Sequence, residues 1–423
     1  MRVGSWFAAF TLTAVWQFAA AASTPDPSDG GVSAFYRWTA PLPAAGEMLR
    51  EEPLDPSQSL SGAVANIRIL YSSTDGVGGR ERIAVSGALY FPKGQMPKRG
   101  WPMVAWAHGT TGIADVCAPS WRGRTDRDQA YLNAWLSQGF AVVATDYQGL
   151  GTPGVHPYLL WRPEGTSVLD AVRAALQRHS GQLQNRLIIV GQSQGSGAAL
   201  GATYLAPLYA PELHLLGTVA TGLVLTFRGA ATLPGLPAKP AAYTDPAQMD
   251  PSFAMLRIAG TDRRLHPELA TENFVTAQGR DLLHAARTSC LHDMFDLSRR
   301  EGLTGAKIFV SDLKPIDSDM EDNFELPSAK LTVPIFAGTG LADSEAGTAG
   351  QYIAVIAMCR AGTDVQWHRY PGITHNGAVN WSLRDSLPFV RQLMSGIKPT
   401  SDCAEVSAPG PIQRPNSGVP YNN

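Results

Sequence analysis

From residue 101 onward, short apolar runs alternate with stretches of helical periodicity. The runs that predict strands are residues 102–107, 140–145, 187–190, 218–224, 333–337 and 364–370. Between two of them, residues 166–178 space their apolar side chains as on one face of a helix. Helices that alternate with nearly continuous apolar strands are typical of a parallel sheet covered on both faces. The pattern therefore predicts an α/β fold with a mainly parallel central sheet flanked by helices.

Two runs with an alternation of period two precede this pattern. Residues 65–71 alternate regularly and residues 82–91 less so. The glycine-rich residues 75–79 between them indicate a hairpin loop. We therefore expect antiparallel strands at one edge of the sheet.

The first sixty residues divide into two segments. Residues 1–22 begin with a positive charge at Arg2, continue with a mainly apolar stretch and end in three alanines, which predicts a signal peptide. The alternative is a retained anchor, although the stretch is short for a membrane span. We expect a secreted protein, extracellular or periplasmic, without stable membrane insertion. Residues 23–60, rich in Pro, Ser and Ala, predict an irregular N-terminal arm.

The regular alternation is interrupted over residues 225–325. Proline-rich residues 233–240 lead into a helical part of the interruption. Its helical periodicity lies at residues 252–258, 268–277 and 279–287. We interpret the interruption as a helical cap or lid over the carboxyl edge of the sheet, and the alternative is a separately packed subdomain with no gating role.

This insertion divides the predicted core into residues 61–224 and residues 326–403. Residues 404–423 contain four prolines and no periodicity. They predict a flexible C-terminal tail.

Charge and cysteine usage narrow the classes of partner. The 423-residue chain has a net charge of −2, and no run of five or more basic residues occurs, which argues against nucleic acid as a partner. Its four cysteines and nine histidines form neither a Cys-x-x-Cys nor a His-Glu-x-x-His pattern, so we expect no metal and no other cofactor. In an oxidising compartment the cysteines should form two disulfides, with three pairings open.

The segment 187–197 carries the strongest chemical signal. A strand runs directly into Gly-x-Ser-x-Gly around Ser193, and a helix of small residues over 198–204 follows. So sharp a turn strains the backbone at its apex, and Gly191 and Gly195 give the clearance that the turn needs. The pattern predicts a nucleophilic serine hydroxyl at a helix N-terminus. The alternative is a serine that only caps the helix.

A nucleophilic serine needs a base, an acid and hydrogen-bond donors for the oxyanion. In open parallel sheets such groups lie at the carboxyl ends of strands. Residues 108–112, His-Gly-Thr-Thr-Gly, follow the run 102–107 and can aim a backbone N–H at the oxyanion, beside the N–H of Gln194. The alternative is a plain turn with a packed His108.

The acid and the base are expected after the last two runs. Asp343 follows residues 333–337, with Glu345 and Asp364 as alternatives for the acid. His375 ends the last strand, and we predict it as the base.

The expected place of the other nearby histidine and the order of the three residues both support the choice of His375 as the base. His368, inside the last strand, is expected to be packed or at the surface. The order Ser193, Asp343, His375 is the one expected for an α/β-hydrolase.

With these residues in place, the chain resembles the secretory lipase family of α/β-hydrolases, the group of the yeast lipase A type. The similarity extends from about Val64 to Cys403. It rests on Tyr-Ser-Ser-Thr-Asp at 71–75, Ile-Ala-Val-Ser-Gly at 83–87, His-Gly-Thr-Thr at 108–111, Cys-Ala-Pro-Ser at 117–120, the segment 139–151 with Asp-Tyr-x-Gly-x-Gly, Gly-Gln-Ser-Gln-Gly at 191–195 and Gly-Ile-Thr-His at 372–375. Cys-Ala-Pro-Ser and Asp-Tyr-x-Gly-x-Gly are the more specific of these.

The resemblance implies an α/β-hydrolase fold and a role for each candidate residue. Ser193 corresponds to the nucleophile, Asp343 to the acid and His375 to the base. The first oxyanion donor corresponds to Thr111 or the adjacent Thr110, and the second to Gln194.

The resemblance further implies two disulfides and a lid. The cysteines line up as Cys117–Cys290 and Cys359–Cys403, and the family places a helical lid where the insertion lies. One departure concerns the C-terminus. Yeast members carry a longer segment after the last cysteine that folds over the site, whereas only a short tail follows here, so the resemblance does not extend to substrate selectivity.

We therefore expect a secreted serine carboxylic ester hydrolase, a lipase or carboxylesterase. Its expected partner is an ester or lipid substrate, such as a triacylglycerol or a related acyl ester, met at a lipid–water interface. One alternative is a serine peptidase or amidase on the same fold. Another is a non-catalytic binding protein on this scaffold, which would usually have lost one member of the triad.

Overall fold

The computed structural model describes most of the chain. The described residues are Met1, 30–230, Leu236, 246–313 and 323–423. The expected signal peptide beyond Met1 and most of the proline-rich segment 233–240 lie outside them.

Within the described residues, nine strands form one mixed sheet in the order β1-β2-β3-β5-β4-β6-β7-β10-β11. They are β1 Met48–Pro53, β2 Ala63–Thr74, β3 Arg82–Pro92, β4 Trp101–Ala107, β5 Ala141–Thr145, β6 Leu183–Gln192, β7 Leu215–Thr221, β10 Ile335–Gly340 and β11 Val365–Tyr370. The six strands from β5 to β11 pair in parallel, whereas β1, β2 and β3 are antiparallel at one edge. The predicted mainly parallel sheet is confirmed, and so is the antiparallel β2–β3 hairpin.

The helices lie on both faces of this sheet and in the insertion. The α-helices are α1 Pro119–Arg122, α2 Asp126–Ser137, α3 Trp161–Arg178, α4 Gln194–Tyr209, α5 Pro251–Leu256, α6 Arg263–Leu265, α7 Arg280–Thr288, α8 Leu291–Glu301, α9 Gly305–Ile308, α10 Thr348–Arg360, α11 Gly377–Trp381 and α12 Leu383–Met394. Short 3₁₀ turns lie at Ala34–Tyr36, Pro56–Gln58, Asp115–Cys117, Thr271–Phe274 and Ala277–Gly279, and a π-helical turn lies at Arg257–Asp262.

Two apolar clusters fill the space between the sheet and its helices. Helices α3, α4 and α10 contribute buried side chains to one cluster, and α2, α11 and α12 contribute to the other. Alternate residues of the parallel strands point into each cluster. In β6, for example, Ile189 packs in the first cluster, whereas Ile188 and Val190 pack in the second. The central strands are therefore buried on both faces, which explains their continuous apolar runs.

The insertion leaves and re-enters the core at one place. The two-residue strands β8 Thr226–Phe227 and β9 Glu325–Leu326 pair in parallel. Helices α5, α7 and α8 between them pack around a small apolar core of their own, which also receives Ile113 and Tyr158 from the main domain. The insertion thus has its own interior and is also packed onto the core.

Two expectations about local structure were wrong. The arm 23–60 contains β1, which pairs with β2, because pairing at a sheet edge compensates for a polar sequence that carries little strand signal. Residues 268–277 do not form the expected α-helix. They form the short 3₁₀ turn Thr271–Phe274, a bridge from Val275 to Phe309, and the start of Ala277–Gly279. Helix α8, by contrast, was not anticipated.

The C-terminal residues 404–423 contain no helix or strand among the described residues, but they lie against the core. The backbone N–H of Gln413 donates to Leu341 O at 2.8 Å. Asn422 is 7% exposed and accepts a hydrogen bond from Thr374 N at 2.7 Å. These contacts were not anticipated from the sequence.

Candidate active site

The turn around Ser193 has the backbone that its sequence predicts. Strand β6 ends at Gln192 and helix α4 begins at Gln194, so one residue makes the turn. Ser193 has φ 55° and ψ −124°, a region that non-glycine residues rarely adopt. A Cβ atom on Gly191 would lie 1.9 Å from the carbonyl oxygen of Gly195, and one on Gly195 would lie 1.9 Å from that of Ala107. Both positions therefore require glycine.

The alternative of a capping serine is not supported by this geometry. Among the described residues, the Ser193 side chain makes no capping hydrogen bond to helix α4. Its backbone N–H donates to Thr221 O at 3.0 Å, which joins the turn to the end of the neighbouring strand β7. The hydroxyl is partly exposed and lines a cavity.

Asp343 and His375 form a close pair beyond the ends of β10 and β11. Nδ1 of His375 lies 2.7 Å from Oδ2 of Asp343. The carboxylate is fully buried and the imidazole is 3% exposed. Gly222 has φ +57°, and a Cβ there would lie 2.6 Å from Cε1 of His375, so the imidazole packs directly over this glycine.

The carboxylate of Asp343 is held by three further donors. The backbone N–H groups of Glu345 and Ala346 donate to Oδ1 at 3.0 and 2.9 Å. The amide of Gln351, on helix α10, donates to Oδ2 at 2.7 Å. Sequence reasoning missed Gln351, because a lone glutamine inside a helix carries no signal that it faces a carboxylate.

The pair shifts the ionisation of both members toward the charged forms. Burial by itself lowers the pKa of His375, but the Asp343 carboxylate outweighs it and raises the pKa above its ordinary value of 6.5. Burial by itself raises the pKa of Asp343, but the charge of His375 and the surrounding hydrogen bonds lower the pKa below its ordinary value of 3.8. Asp343 is therefore an anion that supports a proton on His375.

The other candidates for acid and base have different partners. Asp364 forms a surface ion pair with Lys398 at 2.7 Å. Glu345 is exposed, and its Oε1 accepts a hydrogen bond from Nδ2 of Asn376 at 3.4 Å. His368 lies 3.7 Å from Asp385 and stacks on Phe336 in the outer part of the sheet. None of these three side chains is the partner of His375 in the described structure.

The residues predicted as oxyanion donors lie in two segments next to the turn. Thr110 and Thr111 lie in the loop after β4, and Gln194 opens α4. The Thr110 hydroxyl lies 2.9 Å from the Tyr158 hydroxyl. Thr111 O accepts a hydrogen bond from Leu291 N at 2.9 Å, at the start of the insertion helix α8.

His108, which precedes these threonines, is packed inside the core. Its Nδ1 lies 2.7 Å from the carbonyl oxygen of Gly109. Burial lowers the pKa of His108 to about 4, so the ring is neutral at physiological pH. It supports the loop, as the packed-histidine alternative predicted.

A cavity of about 350 Å³ opens beside the turn, and both Ser193 and His375 line it. Its remaining walls are mostly apolar. They are formed by Tyr158, Leu159, Leu223, Val224, Leu225, Thr226, Met249, Asp250, Phe253, Phe295, Ser344, Glu345, Ala346, Gly350 and Ile353. Several of these residues belong to the insertion, including Phe253 and Phe295, whose rings meet edge to face at 5.3 Å. The cavity therefore lies between the core and the insertion.

Two disulfides stabilise the surroundings of the site. Cys117 pairs with Cys290, and Cys359 pairs with Cys403. Both pairs are those that the family resemblance implies. The first joins the segment after the Thr110–Thr111 loop to the insertion, and the second joins helix α10 to the C-terminal segment.

The described residues contain neither a metal-binding cluster nor a membrane-spanning helix. Within them, no three His, Cys, Asp or Glu side chains come together as a metal-binding group. Across the same part of the chain, no helix is both long and apolar enough to span a bilayer.

Comparison with known proteins agrees with this architecture. The family model described as "Secretory lipase" matches residues 122–344, just over half of the chain. A lipase A of Moesziomyces aphidis is 24% identical over 414 residues, which covers 90% of this chain and 83% of the relative. A secreted triacylglycerol lipase of Malassezia globosa is 26% identical over 296 residues, 66% of this chain and 58% of the relative.

Solved structures show the same fold. Candida antarctica lipase A in its closed state superposes with a TM-score of 0.69 at 20% identity, over 94% of this chain and 93% of that one. A rice cell wall degrading esterase of Xanthomonas oryzae superposes with a TM-score of 0.62 at 18% identity, over 84% of this chain and all of the esterase. The chain has the α/β-hydrolase fold, and it belongs to the secretory lipase family as a serine ester hydrolase.

Proposed function

We propose that the chain hydrolyses acyl esters through Ser193 as nucleophile, His375 as general base and Asp343 as the acid that orients it. The observation that carries this proposal is the 2.7 Å contact between His375 and Asp343, with Ser193 and His375 lining one apolar cavity. A serine hydroxyl is a weak nucleophile until a base removes its proton. Because both side chains line the same cavity, their placement supports a proton transfer from the Ser193 hydroxyl to the imidazole.

The reaction would proceed in two halves. Oγ of Ser193 attacks the ester carbonyl carbon while Nε2 of His375 takes the hydroxyl proton, and the carbonyl oxygen becomes an oxyanion. The imidazolium then gives that proton to the departing alcohol, which leaves an acyl-enzyme. In the second half His375 takes a proton from water, the resulting hydroxide attacks the acyl carbon, and Ser193 recovers its proton as the acid leaves.

Backbone N–H groups would stabilise the negative charge in both halves. We assign the second donor to Gln194 and the first to Thr111 or Thr110. Gln194 directly follows Ser193, and the Thr110–Thr111 loop begins beside the turn, where Gly195 packs against Ala107 O. This placement supports the assignment, since donors fixed before the reaction need no reorganisation. Loss of one such donor costs about 10²–10³ in rate in other serine hydrolases.

The cavity supports acyl esters as the substrate class. A volume of about 350 Å³ with mostly apolar walls suits an acyl chain. The name of the Malassezia globosa relative supports triacylglycerols as one substrate. We further propose that the chain is secreted after removal of residues 1–22, which the two disulfides support.

The insertion would act as a cap over this cavity. The residues that it contributes to the cavity walls support this role. If it also opens as a lid, activity should rise abruptly when an ester passes its solubility limit and forms an interface. A smooth saturation curve through that limit would leave it as a fixed cap.

The decisive experiment is Ser193→Ala, assayed on p-nitrophenyl esters of increasing acyl length and on a matched p-nitroanilide. We expect ester turnover to fall by about 10⁶. Undiminished turnover would refute the assignment, and wild-type cleavage of the anilide without the esters would indicate an amidase instead. Ser137→Ala, at an exposed position of helix α2, is the matched control and should keep full activity.

A further inference from the structure

A second buried carboxyl, that of Glu164, contacts the side chain of Gln194, the residue that follows Ser193. The side chain of Gln194 points into a closed polar cluster with Glu164 and His156, and each of the three residues is 1% exposed. Nε2 of Gln194 lies 2.7 Å from Oε1 of Glu164 and 2.9 Å from Nε2 of His156. The side chain of the residue next to the nucleophile is therefore anchored by two hydrogen bonds.

The hydrogens in this cluster can be assigned from chemistry. Nδ1 of His156 lies 2.8 Å from the carbonyl oxygen of Gln148, which can only accept, so Nδ1 carries the hydrogen. Burial lowers the pKa of His156 to about 4, so the ring is neutral and its Nε2 is an acceptor. The Gln194 amide nitrogen must then donate one hydrogen to His156 and the other to Glu164.

Glu164 also holds the wall of the cavity. Its Oε1 accepts a second hydrogen bond from Leu159 N at 3.0 Å. Leu159 has φ +66°, a strained value for a leucine, and it lines the cavity. The preceding Tyr158 contacts Thr110 through its hydroxyl at 2.9 Å. Residues 156–164 therefore touch both segments to which we assign oxyanion donors.

On these contacts, and resting on the function proposed above, we propose that Glu164 is a positioning residue for the oxyanion site. Its single oxygen Oε1 ties the side chain of Gln194 to the backbone of Leu159. This tie fixes the start of helix α4 relative to the segment that supports Thr110. Glu164 does not touch the substrate and acts through Gln194. Neither the sequence motif nor the Ser-His-Asp chemistry assigns it a role.

The protonation state of Glu164 fits this role. Burial raises the pKa of Glu164 to about 8, although the hydrogen bonds from Gln194 and Leu159 act in the opposite direction. The titratable groups that face Glu164 are His156, Tyr147 and Tyr158. Burial raises the pKa of each tyrosine above the ordinary value. Below pH 8 the carboxyl is neutral and does not repel a developing oxyanion. Ionisation above pH 8 places a negative charge behind the oxyanion donors.

The test compares Glu164→Ala with Glu164→Gln. Alanine removes the acceptor for both N–H groups, whereas glutamine keeps an acceptor oxygen and cannot ionise. Active sites are counted by stoichiometric labelling of Ser193 with a fluorophosphonate, and kcat and KM are measured per labelled site on soluble p-nitrophenyl butyrate. The matched control is Asp170→Ala. Asp170 is a fully buried carboxyl on the same helix α3, but it binds Ser73 and Tyr209, at 2.7 Å each.

We expect Glu164→Ala to lower kcat per labelled site by about 10- to 100-fold, with KM changed by less than about threefold. Glu164→Gln should stay within about threefold of the wild-type kcat at pH 7. We expect the wild-type kcat to fall above pH 8 as Glu164 ionises, and Glu164→Gln should lack this fall. Asp170→Ala should lower the Tm but leave kcat per labelled site unchanged.

Three outcomes would overturn the proposal. The first is a Glu164→Ala enzyme with the wild-type kcat per site and only a lower Tm. The second is a Glu164→Gln enzyme as slow as Glu164→Ala. The third is a Glu164→Gln enzyme whose kcat falls above pH 8 as much as that of the wild type. This outcome also decides the matter if Glu164→Ala does not fold. Absence of labelling at Ser193 in the wild type would instead refute the proposed nucleophile.

Discussion

Two buried carboxyl groups flank the candidate site, and their surroundings make one of them an anion and leave the other neutral. Asp343 is fully buried and accepts four hydrogen bonds, one of them from the imidazole of His375. Glu164 is 1% exposed and accepts two, both from uncharged amides. Burial raises the pKa of each carboxyl, but only around Asp343 do the partners reverse the effect. Equal burial therefore does not fix the charge; the number and charge of the donors do.

In the proposed mechanism, this contrast places a charged group beside the base that takes the proton and a neutral one beside the donors for the oxyanion. Asp343, an anion, would support the imidazolium that forms at His375. The oxyanion side carries Glu164 without charge, next to Gln194. The two sides can be perturbed separately, because Asp343 and Glu164 lie in different segments of the chain and have no hydrogen-bond partner in common.

The largest effect is expected from removing the charge on the base side. Asp343→Asn keeps the shape but loses the anion and the tautomer that it selects, so kcat should fall by about 10⁴, as in other triads. Steady-state kinetics with p-nitrophenyl esters measure the loss. Asp364→Asn, which breaks only the surface pair with Lys398, is the control and should change kcat by less than about twofold. Retention of a tenth of the wild-type activity by Asp343→Asn would contradict the prediction.

The next effect concerns Glu164, whose buried carboxyl should make the folded protein less stable as the pH rises. The pKa of Glu164 is raised from 4.5 to about 8, so between these values the unfolded chain releases a proton that the folded chain keeps. The stability contributed by the protonated form is complete below pH 4.5 and is lost as pH rises to 8. The loss is on the order of 5 kcal/mol, at about 1.4 kcal/mol per pKa unit.

Glu164→Gln should remove this dependence. The difference in free energy of unfolding, variant minus wild type, should increase between pH 4.5 and pH 8 in urea titrations. The exposed substitution Glu301→Gln is the control and should give a constant difference. A constant difference for Glu164→Gln as well would mean that the carboxyl is already ionised at pH 5.

A smaller effect is expected when Asp343 keeps its charge but loses one of its hydrogen-bond donors. Gln351→Ala removes the 2.7 Å hydrogen bond to Asp343, which should lower kcat by about 10- to 100-fold, since hydrogen bonds to charged groups contribute about 1.5–3 kcal/mol. With less of its charge neutralised, Asp343 should raise the pKa of His375 further. Because the base must be neutral to act, the acid limb of kcat/KM should move to higher pH. An acid limb that stays in place, or moves to lower pH, would refute this reading.

The smallest effect should come from the tail that contacts the base side from outside. Asn422 accepts a hydrogen bond from Thr374 N and donates to Gly372 O at 2.9 Å, both just before His375. Asn422→Ala should lower the stability by about 1 kcal/mol and kcat by a few fold. Thermal unfolding and kinetics measure the two effects. The exposed Asn423→Ala is the control, and equal behaviour of the two variants would exclude a role for the contact.

The sequence predicted those parts of the site whose signal is local. Ser193, Asp343 and His375 each follow an apolar run, and the topology of parallel strands brings the ends of such runs together at one edge. The turn around Ser193 was predictable because only glycine fits at Gly191 and Gly195. The parallel sheet was predictable because strands buried on both faces must be apolar throughout.

The parts that were missed depend on contacts distant in sequence. Glu164 occurs in the first turn of helix α3, where an acidic residue ordinarily indicates no more than a favourable interaction with the helix dipole. Its partner Gln194 is 30 residues away and Gln351 is embedded in helix α10. Strand β1 carries the polar sequence Met-Leu-Arg-Glu-Glu-Pro and gains its structure from pairing with β2. No local pattern contains such information.

The disulfide between Cys117 and Cys290 limits how the insertion can move. Cys290 immediately precedes helix α8, and the next residue, Leu291, donates its N–H to Thr111. The disulfide thus tethers the beginning of α8 covalently to the core, a few residues after the Thr110–Thr111 loop. If the insertion moves to admit a substrate, we expect the start of α8 to stay in place, because the disulfide ties it to the core, and the wall formed by Phe253 and Phe295 to move relative to that point. An entrance would then open at the edge of the cavity that lies farthest from Cys290, and the Thr110–Thr111 loop would keep its place.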